Sequence, residues 1–389
     1  QRSSVLPINY QGEPLSPIHM WYDKRSTKIC DQINSNCEDK RDNICGMKLS
    51  PLCSAPKLLW IKRHEPQIYQ DAYKLVGIHD YLLYLLTGKF VTDASCASRT
   101  CLMDIQKSEW SDDLIELFDL DKEKLCDIYA PGSIIGNLTT QVANRFSLPN
   151  NMPVISSGGD QQCSILGQGV YQQGNIGITS GTGCYVTGPI KTPITDSSKG
   201  LNLNVSCIPE QWILEATILA SGSAYDWFNN NLYPESEAKD RYRLINKDIS
   251  SISPGADGVL CFSNLMGKGT PHWNSHARGS FFNIGLDTTR AHMARALLEG
   301  ICSEIYDCFQ VLKPMIGDIK NIKVSGGLST FTCFNQILVD MINCPVEVTH
   351  QTETTAVGAF MVASTTLNIT STHEHAYNMS NNSKKGTIY

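Results

Sequence analysis

Pro153-Val154-Ile155-Ser156-Ser157-Gly158-Gly159-Asp160 and Asn175-Ile176-Gly177-Ile178-Thr179-Ser180-Gly181-Thr182-Gly183 each run a short β-branched stretch into a glycine turn. Both read as strands ending where consecutive backbone N–H groups lie bare. With no Cβ in the way, a phosphate can approach those groups closely. A third turn, Ser325-Gly326-Gly327, ends the strand predicted over 321–324 and opens a helix predicted over 331–342, whose N-terminus favours negative charge. One such turn alone reads only as a bend needing positive φ. Two in one lobe, Gly181-Thr182-Gly183 and Ser325-Gly326-Gly327, point to a nucleotide. The sequence has no Gly-x-x-x-x-Gly-Lys-Ser/Thr and no Gly-x-Gly-x-x-Gly, which argues against P-loop and dinucleotide folds. Asp160 follows the first glycine pair. From a turn beside a cleft its carboxylate can take the proton of a hydroxyl attacking a phosphoryl group. Read locally, it is a helix cap.

Working outward, strand, glycine turn, helix, a strand over 346–348 and a closing helix over 354–363 make an α/β pattern. A long helix is predicted from near Asp287, with Asp287 or Thr288 as its N-cap and Met293, Ala296, Leu297, Ile301 and Ile305 on its apolar face. Toward the start, an extended stretch over 2–9 precedes a helical pattern over 25–34. Three short helices follow, over 57–61, 66–73 and 79–86, divided by Pro and Gly. Residues 132–153 read as loop near a domain boundary, and the chain from 365 as a frayed tail. The expected domains are 1–161 and 162–389.

With 41% hydrophobic and 18% charged residues, the chain is neither disordered nor fibrous. Its 32 basic against 38 acidic residues, net −6, supply no basic face for nucleic acid. No apolar run approaches the roughly 20 residues of a membrane helix. Fifteen cysteines without a Cys-x-x-Cys pair read as reduced, buried thiols of a cytoplasmic protein.

Four segments resemble the FGGY carbohydrate kinases, the family of glycerol kinase, xylulokinase and gluconokinase. Gly158-Gly159-Asp160-Gln161-Gln162 with Ser180-Gly181-Thr182-Gly183 is similar to the catalytic-aspartate segment and phosphate loop. The run from Phe262 through Gly267-Lys268-Gly269-Thr270-Pro271-His272-Trp273 to Phe282 resembles the family signature. Ser325-Gly326-Gly327, with Glu353-Thr354-Thr355-Ala356-Val357-Gly358-Ala359, resembles the adenosine segment and terminal helix. Ser54-Ala55-Pro56-Lys57-Leu58-Leu59-Trp60 resembles the xylulokinase form of the first domain.

The resemblance implies two ribonuclease-H-like domains of the actin and hexokinase type, with ATP and Mg²⁺ in the cleft between them. It implies Asp160 as general base and Gln161 beside the sugar or polyol. It sets Gly181, Thr182 and Gly183 against the phosphates, and Gly326 and Gly327 against the adenosine. Arg2, Trp21 and Asp23 stand at substrate positions, no protein metal ligand is implied, and a homodimer is common among relatives.

Two departures stand out. The family's Asp-x-Gly-Thr/Ser hairpin has no counterpart in these residues, so the expectation is a first domain truncated at its start, with weak ATP binding and poor phosphoryl transfer. Ser3 replaces the carboxylate of the glycerol-kinase Gln-Arg-Glu pattern, and Leu52 stands where glycerol kinase has a tyrosine. A ketopentose such as xylulose therefore leads over glycerol. The competing readings are a non-catalytic sugar or nucleotide sensor on the same fold and an actin-like ATPase.

Overall fold

The computed structural model describes residues 2–195, 200–234, 238–349, 353–381 and 386–389. In the first half the described strands pair two by two. β1 (Val5–Ile8) lies antiparallel to β2 (Lys74–Gly77), and β3 (Val91–Asp93) is parallel to β6 (Asp127–Tyr129). β4 (Met103–Asp104) and β5 (Glu109–Trp110) form a hairpin, and β7 (Ile134–Asn137) pairs with β8 (Pro153–Ile155).

Helices α1 (Thr27–Cys45), α2 (Ser54–His64), α3 (Pro66–Asp71), α4 (Ile78–Thr87), α5 (Ala94–Ala97), α6 (Asp112–Leu117) and α7 (Thr140–Phe146) surround them. Val5, Ile29, Leu58, Leu75, Leu102 and Phe118 share one buried cluster there. The stretch predicted as loop over 132–153 holds β7 and α7. Thr139 caps α7 by accepting the Val142 N–H, a signal that the Asn- and Gly-rich composition masked.

The second half is one sheet in the order β11-β12-β10-β9-β15-β16-β17, formed by β9 (Asn175–Ser180), β10 (Cys184–Ile190), β11 (Asn202–Val205), β12 (Trp212–Ile218), β15 (Asn321–Gly326), β16 (Val346–Val348) and β17 (Thr387–Ile388). β12, β10 and β9 form an antiparallel meander, and β15 and β16 extend it in parallel. That is the ribonuclease-H order, carried by this half.

One face of the sheet is covered by α9 (Gly222–Leu232), α10 (Ala238–Ser251), α11 (Arg290–Ile316) and α12 (Thr332–Ile342). The other carries α8 (Asp160–Gly167), α13 (Thr354–Thr366) and α14 (His373–Asn381). Cover on both faces buries nearly every residue of β9, β10 and β15, the polar Asn175, Ser180, Thr187, Lys323 and Ser325 included.

α11 follows its predicted face, with Ala296, Leu297, Ile301 and Ile305 buried and Met293 half-buried. Its N-cap is Thr289 rather than Asp287 or Thr288, because His292 Nδ1 reaches back to the Thr289 N–H at 3.0 Å. The hairpin of β13 (Leu260–Phe262) and β14 (Ser280–Phe282) rests on α11. Glu304, buried in α11, accepts from Ser263 Oγ at 2.7 Å and Asn264 Nδ2 at 2.6 Å and so anchors the signature segment. In place of the frayed tail expected from 365, α14 packs on α13, and β17 adds an antiparallel edge to β16.

The expected boundary between residues 161 and 162 falls inside α8. That helix is pressed against α13 through paired glycines. A Cβ on Gly167 would lie 1.9 Å from the Thr354 carbonyl, and one on Gly358 1.9 Å from that of Cys163. The described cysteines are free thiols, most of them buried.

Candidate functional site

Gly158 adopts φ +106, and a Cβ there would meet Cys207 Sγ at 2.6 Å, so the turn ahead of α8 needs glycine. Gly159 is the N-cap of α8, and its N–H donates to Ser95 Oγ at 2.8 Å. Asp160 is therefore the first helical residue. Its Oδ1 accepts the Gln161 N–H at 2.8 Å and lies 3.3 Å from Arg2 Nε.

Behind that turn is a buried polar network. Asp93 accepts the Ser95 and Cys96 N–H groups at 2.8 and 3.0 Å, the Ser95 hydroxyl, and Ser156 Oγ at 2.8 Å. His79 lies 3.3 Å from Asp93 Oδ2 through Nε2 and 3.4 Å from Asp80 Oδ1 through Nδ1. Burial alone would push this imidazole down. Cys96, Asp80 and Asp93 outweigh it and hold His79 well above its usual value.

Arg2, Ser3, Trp21, Leu52, Arg99, Asp160, Gln161 and Tyr185 line a cavity of about 410 Å³. Trp21 and Leu52, which leave 45% and 38% of their surface open, supply the apolar part of the lining. Arg2 Nη1 is buried with no acceptor among the described residues, as is the Nδ2 of Asn204, whose Oδ1 holds Arg99 Nη1 at 3.2 Å. Arg99 also lies 3.7 Å from Glu215, a buried carboxylate on β12. Burial, and then the Glu215 charge, push the Tyr185 phenol up, so it remains an O–H donor. Donors thus outnumber acceptors, which suits a ligand rich in hydroxyl oxygens.

Arg2, Trp21, Asp160 and Gln161 line this one cavity. Asp23 is not among the lining residues. It is bonded to Arg25 (Nη2 to Oδ2 2.8 Å), whose guanidinium hydrogen bond holds the carboxyl below its usual range.

The glycine turns meet at the ends of neighbouring strands, Gly326 pairing with Ser180 in the β15–β9 register. Gly181, Thr182, Gly327 and Leu328 line a cavity of about 390 Å³ with Tyr225 and Asp226. Gly327 faces open space, whereas a Cβ on Gly326 would lie 2.1 Å from the Ser180 carbonyl. Gly183 packs inward instead, its Cβ position 2.6 Å from the Ile218 carbonyl, so it shapes the turn without lining this cavity. A 3-10 turn, Gly327–Thr330, separates the pair from α12, so the helix does not open directly on the glycines.

A further cavity of about 700 Å³ takes in Gly326, Gly327 and Thr354. At the adjoining residue Thr355 Oγ1 donates to the Asp160 carbonyl at 3.4 Å. The start of α13 thereby joins the glycine turns to the Asp160 turn.

Arg99, Tyr185, Tyr225 and Asp226 escaped the sequence reading, because their partners are distant in the chain and no local pattern marks them. Asp93 had a usable signal, a short polar residue ahead of Ala94-Ser95-Cys96 that reads as a cap.

Residues 1–167 match the model of the FGGY family of carbohydrate kinases, N-terminal domain, and residues 176–367 that of the C-terminal domain. The chain is 26% identical over 366 residues to a xylulose kinase of Staphylococcus xylosus, covering 93% of this chain and 74% of that one. It is 31% identical over 372 residues to a glycerol kinase of Myxococcus xanthus, covering 92% and 73%. A solved ligand-bound xylulose kinase from Lactobacillus acidophilus superposes with a TM-score of 0.91 at 21% identity, over 100% of this chain and 78% of that one.

Proposed function

The chain belongs to the FGGY family of carbohydrate kinases, and from that premise we propose that it transfers the γ-phosphoryl group of ATP to a hydroxyl of a ketopentose such as xylulose, with Asp160 as general base. The observation that carries this reading is the gathering of Arg2, Trp21, Asp160 and Gln161 on one cavity, joined through α13 to the glycine turns. Preference for a ketopentose over glycerol is supported by Ser3 and Leu52, both on the cavity wall, and takes nothing from Asp23.

Asp160 accepts the proton as the sugar hydroxyl attacks in line, and Arg2 fixes the carboxylate on one side. The Oδ2 of Asp160 has no protein partner among the described residues and is free for that proton. Backbone N–H groups at Thr182 and Gly327 neutralise phosphate charge, the main task in a loose phosphoryl-transfer transition state, while the Gly181 N–H donates to the Gly183 carbonyl at 2.9 Å and holds the turn in shape. Mg²⁺ enters as the MgATP substrate complex, since Mg²⁺ is commonly held by substrate phosphates and few carboxylates. The reducing cytoplasm suits the free thiols.

The test is coupled ADP release by the protein as its gene encodes it, across xylulose, ribulose, glycerol, gluconate and erythritol. Turnover with xylulose above glycerol supports the reading. Turnover with glycerol alone overturns the ketopentose assignment, and silence with every sugar overturns the kinase role.

A further inference from the structure

Lys57 is a fully buried lysine on α2, one turn in from its N-terminus. Its ammonium turns back and donates to three successive carbonyls, Pro51 at 2.7 Å, Leu52 at 3.0 Å and Cys53 at 2.9 Å. All three N–H donors are thus spent on the loop that carries Leu52 into the sugar cavity.

Helix stability does not explain this placement. A cation near a helix N-terminus opposes the macrodipole, and burying it without a contacting carboxylate is costly. Asp23 acts on it only from a distance and is bonded to Arg25. What the tripod achieves is local. Pro51, Leu52 and Cys53 lie outside helix and strand, and no other donor among the described residues bonds three consecutive carbonyls of that loop at once.

We propose that Lys57 is a positioning residue for substrate specificity: by clamping the 51–53 carbonyls it holds the Leu52 side chain as the apolar wall of the sugar cavity. This presupposes the sugar reading of that cavity. Lys57 acts through Leu52 and touches neither substrate nor nucleotide.

The charge state adds a consequence. Burial pulls Lys57 down to about 8, opposed by Cys53, Asp23, Cys30 and Cys101. The titratable and charged groups around it come from every packed element. Cys53 is drawn down to about 6 by the Cys101 thiol, with Arg99 and Lys57 itself contributing. Burial pushes Cys30, on α1, up to about 12, and His19 and Cys101 complete the set. Above pH 8 the neutral amine keeps two donors and turns a lone pair toward a carbonyl, so the clamp loosens.

Stability responds with the opposite sign. A lysine with a lowered folded value costs stability while charged and regains it as pH rises from about 8 toward its unfolded value near 10.4. Sugar affinity should therefore weaken over a window in which this group makes the fold more stable, a divergence that a merely structural lysine would not produce.

The experiment is isothermal titration of D-xylulose, glycerol and gluconate, with ADP as control ligand, into the native protein, Lys57→Met, Leu52→Ala and the double variant. Lys57→Met should weaken binding of the preferred sugar roughly ten-fold while leaving ADP within about two-fold. In the Leu52→Ala background it should add little, because coupled residues are non-additive. Equal sugar affinity in native protein and Lys57→Met, or full additivity with Leu52→Ala, overturns the proposal.

If Lys57→Met does not fold, sugar affinity of the native protein between pH 7 and 9 decides. A decline against unchanged ADP binding supports the clamp, and a flat profile overturns it. Native protein that binds ADP but none of the three sugars overturns the sugar reading and this proposal with it. Sugar binding that ignores Lys57 overturns the proposal alone.

Discussion

Arg2 Nε lies 3.3 Å from Asp160 Oδ1, so a residue at the start of the chain holds the carboxylate that opens α8. The guanidinium fixes one oxygen and leaves the other for the substrate proton. Arg2→Met should raise the sugar KM roughly ten-fold or more, the effect of losing a hydrogen bond to a charged group. Initial rates against sugar concentration at saturating ATP check this.

Asp160→Asn keeps the shape and removes the base. Sugar-dependent ADP release should fall by about 10²- to 10⁴-fold, with ADP binding retained. A coupled assay and a titration of ADP into the same preparation measure both.

Ser95 links the Asp93 network to the Asp160 turn through the Gly159 N–H. Ser95→Ala should leave that buried N–H unsatisfied at a cost of about 1–3 kcal/mol. It should lower kcat roughly ten-fold more than it alters sugar KM, because the base loses its position while the cavity wall stays. Denaturant unfolding and steady-state kinetics on one preparation separate the two effects.

His79 is raised well above its usual value by Cys96, Asp80 and Asp93, which outweigh its burial. A histidine raised in the folded state contributes stability that is fully present below its unfolded value near 6.5 and is lost as pH rises through the folded value. The melting temperature of the native protein should therefore fall with rising pH above that point. His79→Gln should flatten this part of the profile, which thermal unfolding across pH 6–9 records.

Gly326 has φ +97 and no room for a side chain, since a Cβ would sit 2.1 Å from the Ser180 carbonyl. Gly326→Ala must push apart β15 and β9 where the glycine turns meet, at a cost of about 2–4 kcal/mol. ADP affinity should fall with it. Gly327→Ala, whose Cβ position faces open space, should leave the fold intact and affect ADP binding alone.

Local chemistry was enough to reveal the glycine turns, the Asp160 segment, the long amphipathic α11 and the α/β order of the last third. Each depends on residues within a few positions of one another, where strand period, glycine permissiveness and helical spacing act directly. The N-cap of α11 was misplaced by the side chain of His292, which competes for the Thr289 N–H. The 132–153 segment was misread because turn-rich composition hid one cap and one strand pair.

The folded chain alone decided which polar residues share a cavity. Arg99 meets Asn204 and Glu215 across more than a hundred residues, and Tyr185 joins Arg2 only once β10 is in the sheet. Asp23 looked equally suited on paper, but Arg25, two residues away, takes its carboxylate first. Sequence determined the chemistry available and the strands that end in glycine turns. Tertiary packing decided which charges pair off and which remain for a ligand, because that depends on distances that no local pattern encodes.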